Sequence, residues 1–410
     1  MGALRERGHD LAVFTRRSAP LEADGTETDE LVDGIPVRSV VNDFEEGSFE
    51  SHYRNARVEE SFSRYVRDFA PDVVHVQHLI GLSAELPAIA RSAGARVVAT
   101  VHEYWYACAR VMFQHRDGSD CPGPAARSCV DCVLGAAAPK RGPVGRLLDG
   151  MGAGPYSRAE RQRLDALGDA LGVFEYITTP SRFVIEEFAR QGLPLVEERT
   201  RALALGIEGS GSQTIRPLEP GPRNSARPLR LGFVGHALHH KGPHVLLEAL
   251  RRIPEAPLTL ELWGARHPEH PYDRLLEVAL AGERRAEHRG RFGEGDLASI
   301  LAGLDLLVVP STCLESFGIA TREAFLAGRP VVSSDRGALP ESVRHGIDGL
   351  VVPGGDAVAL AGAIERILAE PDLLASLARG AVETATTVKS MDRYAAEVEE
   401  FLYVGAGGRG

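Results

Sequence analysis

The amino-acid sequence predicts an α/β protein built from two doubly wound, Rossmann-like domains facing a cleft. Short apolar, β-branched runs alternate with helical patterns along the chain, which is the mark of parallel α/β units. Midway, the stretch GSGSQTIRPLEPGPRNSARP, residues 209–228, is rich in Gly, Ser and Pro and nearly free of apolar residues, so it reads as a linker. At 410 residues the chain also exceeds one ordinary core. The expected boundaries are 1–208 for a first domain, 209–228 for the linker and 229–388 for a second domain. A last amphipathic helix over 389–410 is expected to cross back to the first domain.

Strands are expected at residues 11–15, 36–41, 72–77, 96–101 and 176–179, and then at 229–235, 258–263, 304–309, 330–334 and 350–352. The opening MGALRERGHDLAVFTRR reads as the end of a helix, a turn at Gly8-His9-Asp10 and a strand. An α/β domain places a strand and a tight loop before such a helix, so the expectation is that a first strand and its loop are missing.

Composition narrows the function classes. The chain is 44% hydrophobic and 25% charged, as a globular enzyme would be, and its formal charge of −11 argues against a nucleic-acid partner. No apolar run approaches the roughly 18 residues of a membrane span, and no secretory signal is visible. The default expectation is a cytoplasmic location, with a peripheral membrane contact left open. The basic residues between 139 and 171 read as the solvated face of a helix, with contact to a lipid-linked or anionic partner as the alternative.

Two segments of the second half carry chemistry. LRLGFVGHALHHKGPHVLLEAL is a strand, a turn at Gly235, a short loop with His236, and a helix from about Gly242. Lys241 stands immediately before that helix, where a phosphate is favoured by the unpaired N–H groups. CLESFGIATREAF then places Glu315 and Glu323 on either side of a second helix start. Gly318 permits close approach of a ligand, and the amides of Gly318, Ile319 and Ala320 can face an anion. Glu323 suits a vicinal diol such as a ribose, and Glu315 would lie on the opposite side of the phosphates. The alternatives are a helix-capping Glu315 and an exposed Glu323. A retaining glycosidase using the two glutamates would want its carboxyls about 5 Å apart, and that chemistry has no use for the neighbouring phosphate loop.

The order of a Gly turn with Lys241, the Glu-x7-Glu segment and GALPESVRHGIDGLVV resembles the retaining GT-B glycosyltransferases of family 4. That family carries a G-R-L-x-x-x-K-G loop and an E-x-F-G-x-x-x-x-E helix start. PDVVHVQ, TVHEYW, TTPSRF and GIE fall in the family's order too, so the resemblance covers nearly the whole chain. It implies transfer of a sugar from a UDP- or GDP-linked donor, with retention, to a glycan, a lipid-linked saccharide or a small natural product. It implies that Lys241 holds the donor diphosphate and Glu315 the hydroxyls of the transferred sugar. Backbone around Ser316, Phe317, Gly318, Ile319 and Ala320 would contact sugar and phosphate, and Glu323 would bind the ribose. His102 of HEYW would lie near the donor sugar across the cleft. No catalytic metal is implied, because Lys241 and the helix amides would stand in for one. The chain departs from the family at His236, where an arginine is usual, and at its start, where no glycine-rich loop can be matched. A non-catalytic or truncated sugar-nucleotide-binding protein of the same fold is the alternative.

Four of the five cysteines, Cys108, Cys121, Cys129 and Cys132, fall in a loop-like stretch, the last two as C-x2-C. Structural Zn²⁺ is the leading expectation, with free thiols, a labile disulfide or an iron–sulfur cluster as alternatives.

Overall fold

The computed structural model describes residues 1–123, 128–193, 195–209, 223–224, 226–293 and 295–404. Most of the expected linker therefore lies outside the described residues. The chain divides into two compact units, Ala204–Arg393 and Met1–Leu203 together with the segment from Tyr394 onward.

The first unit opens with a short helix, Gly2–Glu6, and then β1 (Val13–Arg17), β2 (Glu27–Val32) and β3 (Ile35–Val41). These three strands form one sheet in the order β1-β3-β2, with β1 parallel and β2 antiparallel to β3. The β2–β3 turn has Asp33 and Gly34 both at positive φ, the two-residue turn whose twist matches a hairpin. A second sheet holds β4 (Val73–Val76), β5 (Arg96–Thr100), β6 (Ile177–Thr179) and β7 (Thr200–Ala202), all parallel. The described strands thus make two sheets where one doubly wound sheet is expected, with β1 and β4 each at an edge. Val398 and Leu402, from the C-terminal segment, bury with Val98 and Leu203. Tyr403 seals that contact, its hydroxyl lying 2.9 Å from His75 Nδ1, while His75 Nε2 meets Thr100 Oγ1 at 2.8 Å.

The second unit is a single parallel sheet of six described strands: β8 (Leu229–Val234), β9 (Leu258–Trp263), β10 (Ala286–Gly290), β11 (Leu306–Val309), β12 (Val331–Ser334) and β13 (Gly349–Val352). Their order is β10-β9-β8-β11-β12-β13, so the chain reverses direction across the sheet between β8 and β11. Helices cover both faces. Leu229, Leu231 and Phe233 pack with Leu246, Leu250 and Ile364 on one side, and Leu304, Leu307 and Val331 pack with Phe325 on the other. Burial on both faces is why these strands read as nearly unbroken apolar runs.

β2, β7 and β10 depart from the sequence reading, which shows no apolar run at any of them. Each is the outermost strand of its sheet, and β2 exposes five of its six residues. An edge strand has one neighbour and need not be apolar. Among the described residues no helix is long and apolar enough to cross a membrane.

Candidate active site

Ligands of doubly wound sheets bind beyond the carboxyl ends of the strands, at the point where strand order reverses. In the second unit that point lies between the loops following β8 and β11. The β8 loop runs from Gly235 through a single turn at His239–Lys241 into the helix Pro243–Arg252, which starts at Gly242 and Pro243. The β11 loop is tied to it by the backbone N–H of Thr312, donated to His240 O at 2.8 Å. These ties fix where Lys241 can reach.

Lys241 Nζ donates to Glu315 Oε1 at 2.7 Å, and Ser311 Oγ donates to the same oxygen at 2.6 Å. The Glu315 side chain is 14% exposed and that of Lys241 33%. Burial alone would push Glu315 up, but the charge and hydrogen bond of Lys241 and the Ser311 hydroxyl outweigh it and hold the carboxyl below its ordinary value. Burial would likewise lower Lys241, and the Glu315 carboxylate reverses that and raises it. The sequence reading gave Lys241 the diphosphate and Glu315 the sugar hydroxyls; the structure joins the two side chains in one ion pair.

Glu315 is held by its backbone as well. It bridges Gly337, and its carbonyl accepts the N–H of Ala338 at 2.7 Å. Gly337 sits at φ 66°, and a Cβ there would collide with the Glu315 backbone, so the GALPES segment needs glycine at this point. The helix Ile319–Leu326 then begins at Gly318, with φ 77° and no side-chain cap. Glu315 is therefore not the cap, and the first amides of the helix keep their N–H groups for another acceptor.

Glu323, in the first turns of that helix, is mostly buried, and among the described residues no side chain pairs with its carboxylate. Burial raises it. Ser316 is half-buried, Phe317 is buried, and Ile319 and Ala320 present an exposed and a half-buried side chain at the helix start.

Arg322 is absent from the sequence reading and is central to the loop. Its guanidinium lies 3.5 Å from the centre of the Phe317 ring, donates to Phe317 O, and reaches Gly318 O at 3.2 Å and Ser342 Oγ at 3.1 Å. Burial lowers it to about 10. Its spacing of four residues from Gly318, which brings it back over the helix start, is the signal in the sequence.

Of the histidines, burial and the Lys241 charge lower His240 to about 4, so it is neutral at physiological pH. His236 is exposed and pairs with His267, Nδ1 to Nε2 at 3.0 Å. His102 belongs to the first unit, just past β5, where its Nε2 meets Gln77 Oε1 at 2.7 Å and burial lowers it to about 4.

The cysteine run is described in part. Among the described residues no three His, Cys, Asp or Glu side chains group as a metal site. Phe113 N donates to Cys108 Sγ at 3.4 Å, Cys121 Sγ meets Gly123 O at 3.5 Å, and burial pushes the Cys129 thiol up to about 12. Residues 124–127 of the run lie outside the described residues.

Comparison with known proteins matches this geometry to a family. The family described as Glycosyltransferase Family 4 matches residues 1–207, and that described as Glycosyl transferases group 1 matches residues 228–370. Over 195 residues, 44% of this chain and 45% of the relative, the sequence is 34% identical to D-inositol 3-phosphate glycosyltransferase of Corynebacterium urealyticum. The chain thus spans about half the length of the curated relatives it matches. The fold is similar to that of sucrose-phosphate synthase from Thermosynechococcus elongatus, with a TM-score of 0.67 at 20% identity over 97% of this chain and 89% of that one. It is also similar to HepE of Anabaena in complex with UDP, with a TM-score of 0.65 at 18% identity over 96% and 99%. With both halves matched in order and the sheet architecture shared, the chain belongs to the family 4, group 1 glycosyltransferases of GT-B fold.

Proposed function

We propose that this chain transfers a sugar from a nucleoside diphosphate donor to a saccharide-type acceptor with retention at the anomeric carbon. The observation that carries the reading is the Lys241–Glu315 pair at 2.7 Å, set beside the uncapped start of the helix Ile319–Leu326. A cation, a row of unpaired amides and a carboxylate in one place suit a sugar diphosphate better than they suit either part alone. That HepE, of similar fold, is found in complex with UDP supports a nucleotide ligand.

On this reading the diphosphate takes the charge of Lys241 and the amides of Gly318, Ile319 and Ala320. That releases Glu315, held in place by Ser311 and Gly337, to accept hydrogen bonds from the sugar hydroxyls. Glu323, a mostly buried carboxylate, takes the ribose diol. Ser316 and Phe317 shape the floor between them, Gly235 opens the turn that carries His236, and His102 is the contribution that the family resemblance assigns from the first unit. The protein supplies position and charge stabilisation, and the leaving diphosphate accepts the acceptor's proton.

A panel of UDP- and GDP-linked sugars, read by thermal shift and by donor hydrolysis, tests this. One nucleotide class should raise the melting temperature and be hydrolysed slowly without acceptor. If none shifts the melt, the donor reading fails and only the fold remains.

A further inference from the structure

The helix Pro143–Gly150, in the first unit, buries none of its residues. Its apolar side chains nevertheless fall on one side. Val144, Leu147, Leu148 and Met151, the last closing the helix, follow the i, i+3, i+4, i+7 spacing and occupy an arc of about 100°. In most helices of a folded unit such a stripe is turned to the core. Here Val144 is 70% exposed, Leu147 65%, Met151 71% and Leu148 39%.

The stripe faces outward because polar bonds on the other side of the helix hold it in place. After Gly150 the chain folds back into the helix Pro155–Val173, and Asp149 makes the corner. Asp149 Oδ1 accepts the N–H groups of Tyr156 and Ser157 at 3.0 and 3.2 Å, while Arg141 donates to Oδ2 at 3.1 Å. Ala153 and Gly154 both donate to Leu148 O, and a Cβ at Gly154 would collide with Asp149. Arg141 also pairs with Asp131 and lies 3.9 Å from the centre of the Tyr156 ring. None of these ties uses Val144, Leu147 or Met151.

Charge indicates what covers the stripe. Lys140 is exposed just before the helix. Arg158 and Arg161, exposed on the second helix, donate to Ala153 O and Gly152 O, at the end where Met151 lies. Arg146 is exposed on the polar side. The two carboxylates between residues 140 and 161 are turned inward, Asp149 to the corner and Glu160 to Ser128 Oγ and the Val130 N–H. The next, Asp165, lies a turn further along the second helix. In a chain of formal charge −11, both ends of this apolar stripe are basic. A second copy would therefore bring one basic end against another, whichever way the two helices ran.

We propose that the helix Pro143–Gly150 is a membrane-surface anchor: Val144, Leu147 and Met151 enter the headgroup region of an anionic bilayer, and Lys140, Arg158 and Arg161 meet the lipid phosphates. Eight residues make a helix about 12 Å long, far short of a span, so it lies in the interface and does not cross it. Apolar burial and charge attraction act together, and neither is enough for tight binding through so short a segment. The contact is therefore reversible and depends on lipid charge and on salt.

The test is co-sedimentation of the whole chain with phosphatidylcholine vesicles, with and without about 30 mol% phosphatidylglycerol. Wild type should partition onto the anionic vesicles at least about tenfold better than onto the neutral ones. Raising salt to about 0.5 M should release most of it. The double variant Leu147→Glu, Met151→Glu should lose more than about tenfold in partitioning. Its melting temperature should stay at the wild-type value, because both side chains are exposed. Lys140→Ser should lose about fivefold, whereas Leu275→Glu, at an equally exposed apolar residue of the second unit, should lose nothing. Leu147→Trp supplies a readout that does not depend on loss: its emission should shift to the blue when anionic vesicles are added. Wild type that stays in the supernatant with anionic vesicles, equal binding to neutral ones, or a double variant that sediments like wild type overturns the proposal. So does the absence of a blue shift in Leu147→Trp. Light scattering that shows a dimer broken by the double variant, without vesicle binding, would assign the stripe to a second copy and overturn it too.

Discussion

Replacing Lys241 with alanine removes one member of a pair whose other member is largely buried, and stability should register that before catalysis is considered. Losing one partner of a buried ion pair costs about 3–5 kcal/mol when the other charge has no relief. Here Ser311 still donates to Glu315 and the lysine is one-third exposed, so the expected loss at pH 7 is about 2–3 kcal/mol. For a unit of this size that corresponds to roughly 4 to 12 °C in melting temperature.

The pH dependence gives the prediction its sign. Glu315 is depressed in the folded state, so its contribution is present above the unfolded glutamate value and is lost as pH falls through the folded one. Lys241 is raised, so its contribution is present below the unfolded lysine value and is lost as pH rises past the folded one. The wild-type advantage is therefore widest between about pH 5 and pH 10. In Lys241→Ala, burial dominates Glu315 and its carboxyl is raised, so the variant gains on wild type as the medium is acidified. The assay is thermal or urea unfolding across pH 4 to 8, with Glu315→Gln and the double variant alongside. A gap between wild type and Lys241→Ala that stays constant over that range would refute the reasoning. So would a double variant that loses the plain sum of the singles, since coupled neighbours should deviate by about 0.5–3 kcal/mol. In turnover, Lys241→Ala should lose roughly 10² to 10³ in kcat.

Glu315→Gln should mainly lower transfer while leaving nucleotide affinity near wild type, whereas Glu323→Gln should mainly weaken nucleotide binding; if both bind the nucleotide normally, the two-carboxylate assignment fails. Glu323 is raised by burial, so a role that needs its carboxylate predicts that nucleotide affinity declines on acidification earlier than an ordinary glutamate would dictate, and that Glu323→Gln removes this limb. Gly337→Ala forces a side chain onto the Glu315 backbone at a φ that disfavours it, and should cost at least about 1–3 kcal/mol and most of the donor hydrolysis. Arg322→Met leaves the carbonyls of Phe317 and Gly318 without their charged donor, and should cost about 2 kcal/mol and raise KM for the donor more than it lowers kcat; unchanged donor KM would count against its support of the loop.

Much of the second unit was legible because its central strands are buried on both faces. LRLGFV, LTLELW and LLVV announce themselves as apolar runs, and β9 begins and ends where the sequence places it. The strands that escaped are edges. ETDELV and AEHRG are polar enough to pass for loop, and only the Asp33-Gly34 pair hinted that a hairpin follows the first of them. In the site, the glycines and the chemistry of Lys241, Glu315 and Glu323 could be read from type and spacing, since a helix start beside a cation attracts anions in any context.

By itself, then, the sequence determined that the chain is α/β, that its second half carries a glycine turn with a lysine before a helix start, and which family pattern it follows. Only the tertiary structure decided who pairs with whom. Lys241 and Glu315 stand 74 residues apart and meet because β8 and β11 are neighbours at the reversal of the sheet. His236 and His267 meet because the β8–β9 ladder continues into their loops. Spacing along a chain limits which contacts can form, but burial and strand order choose among them, and those are properties of the whole fold.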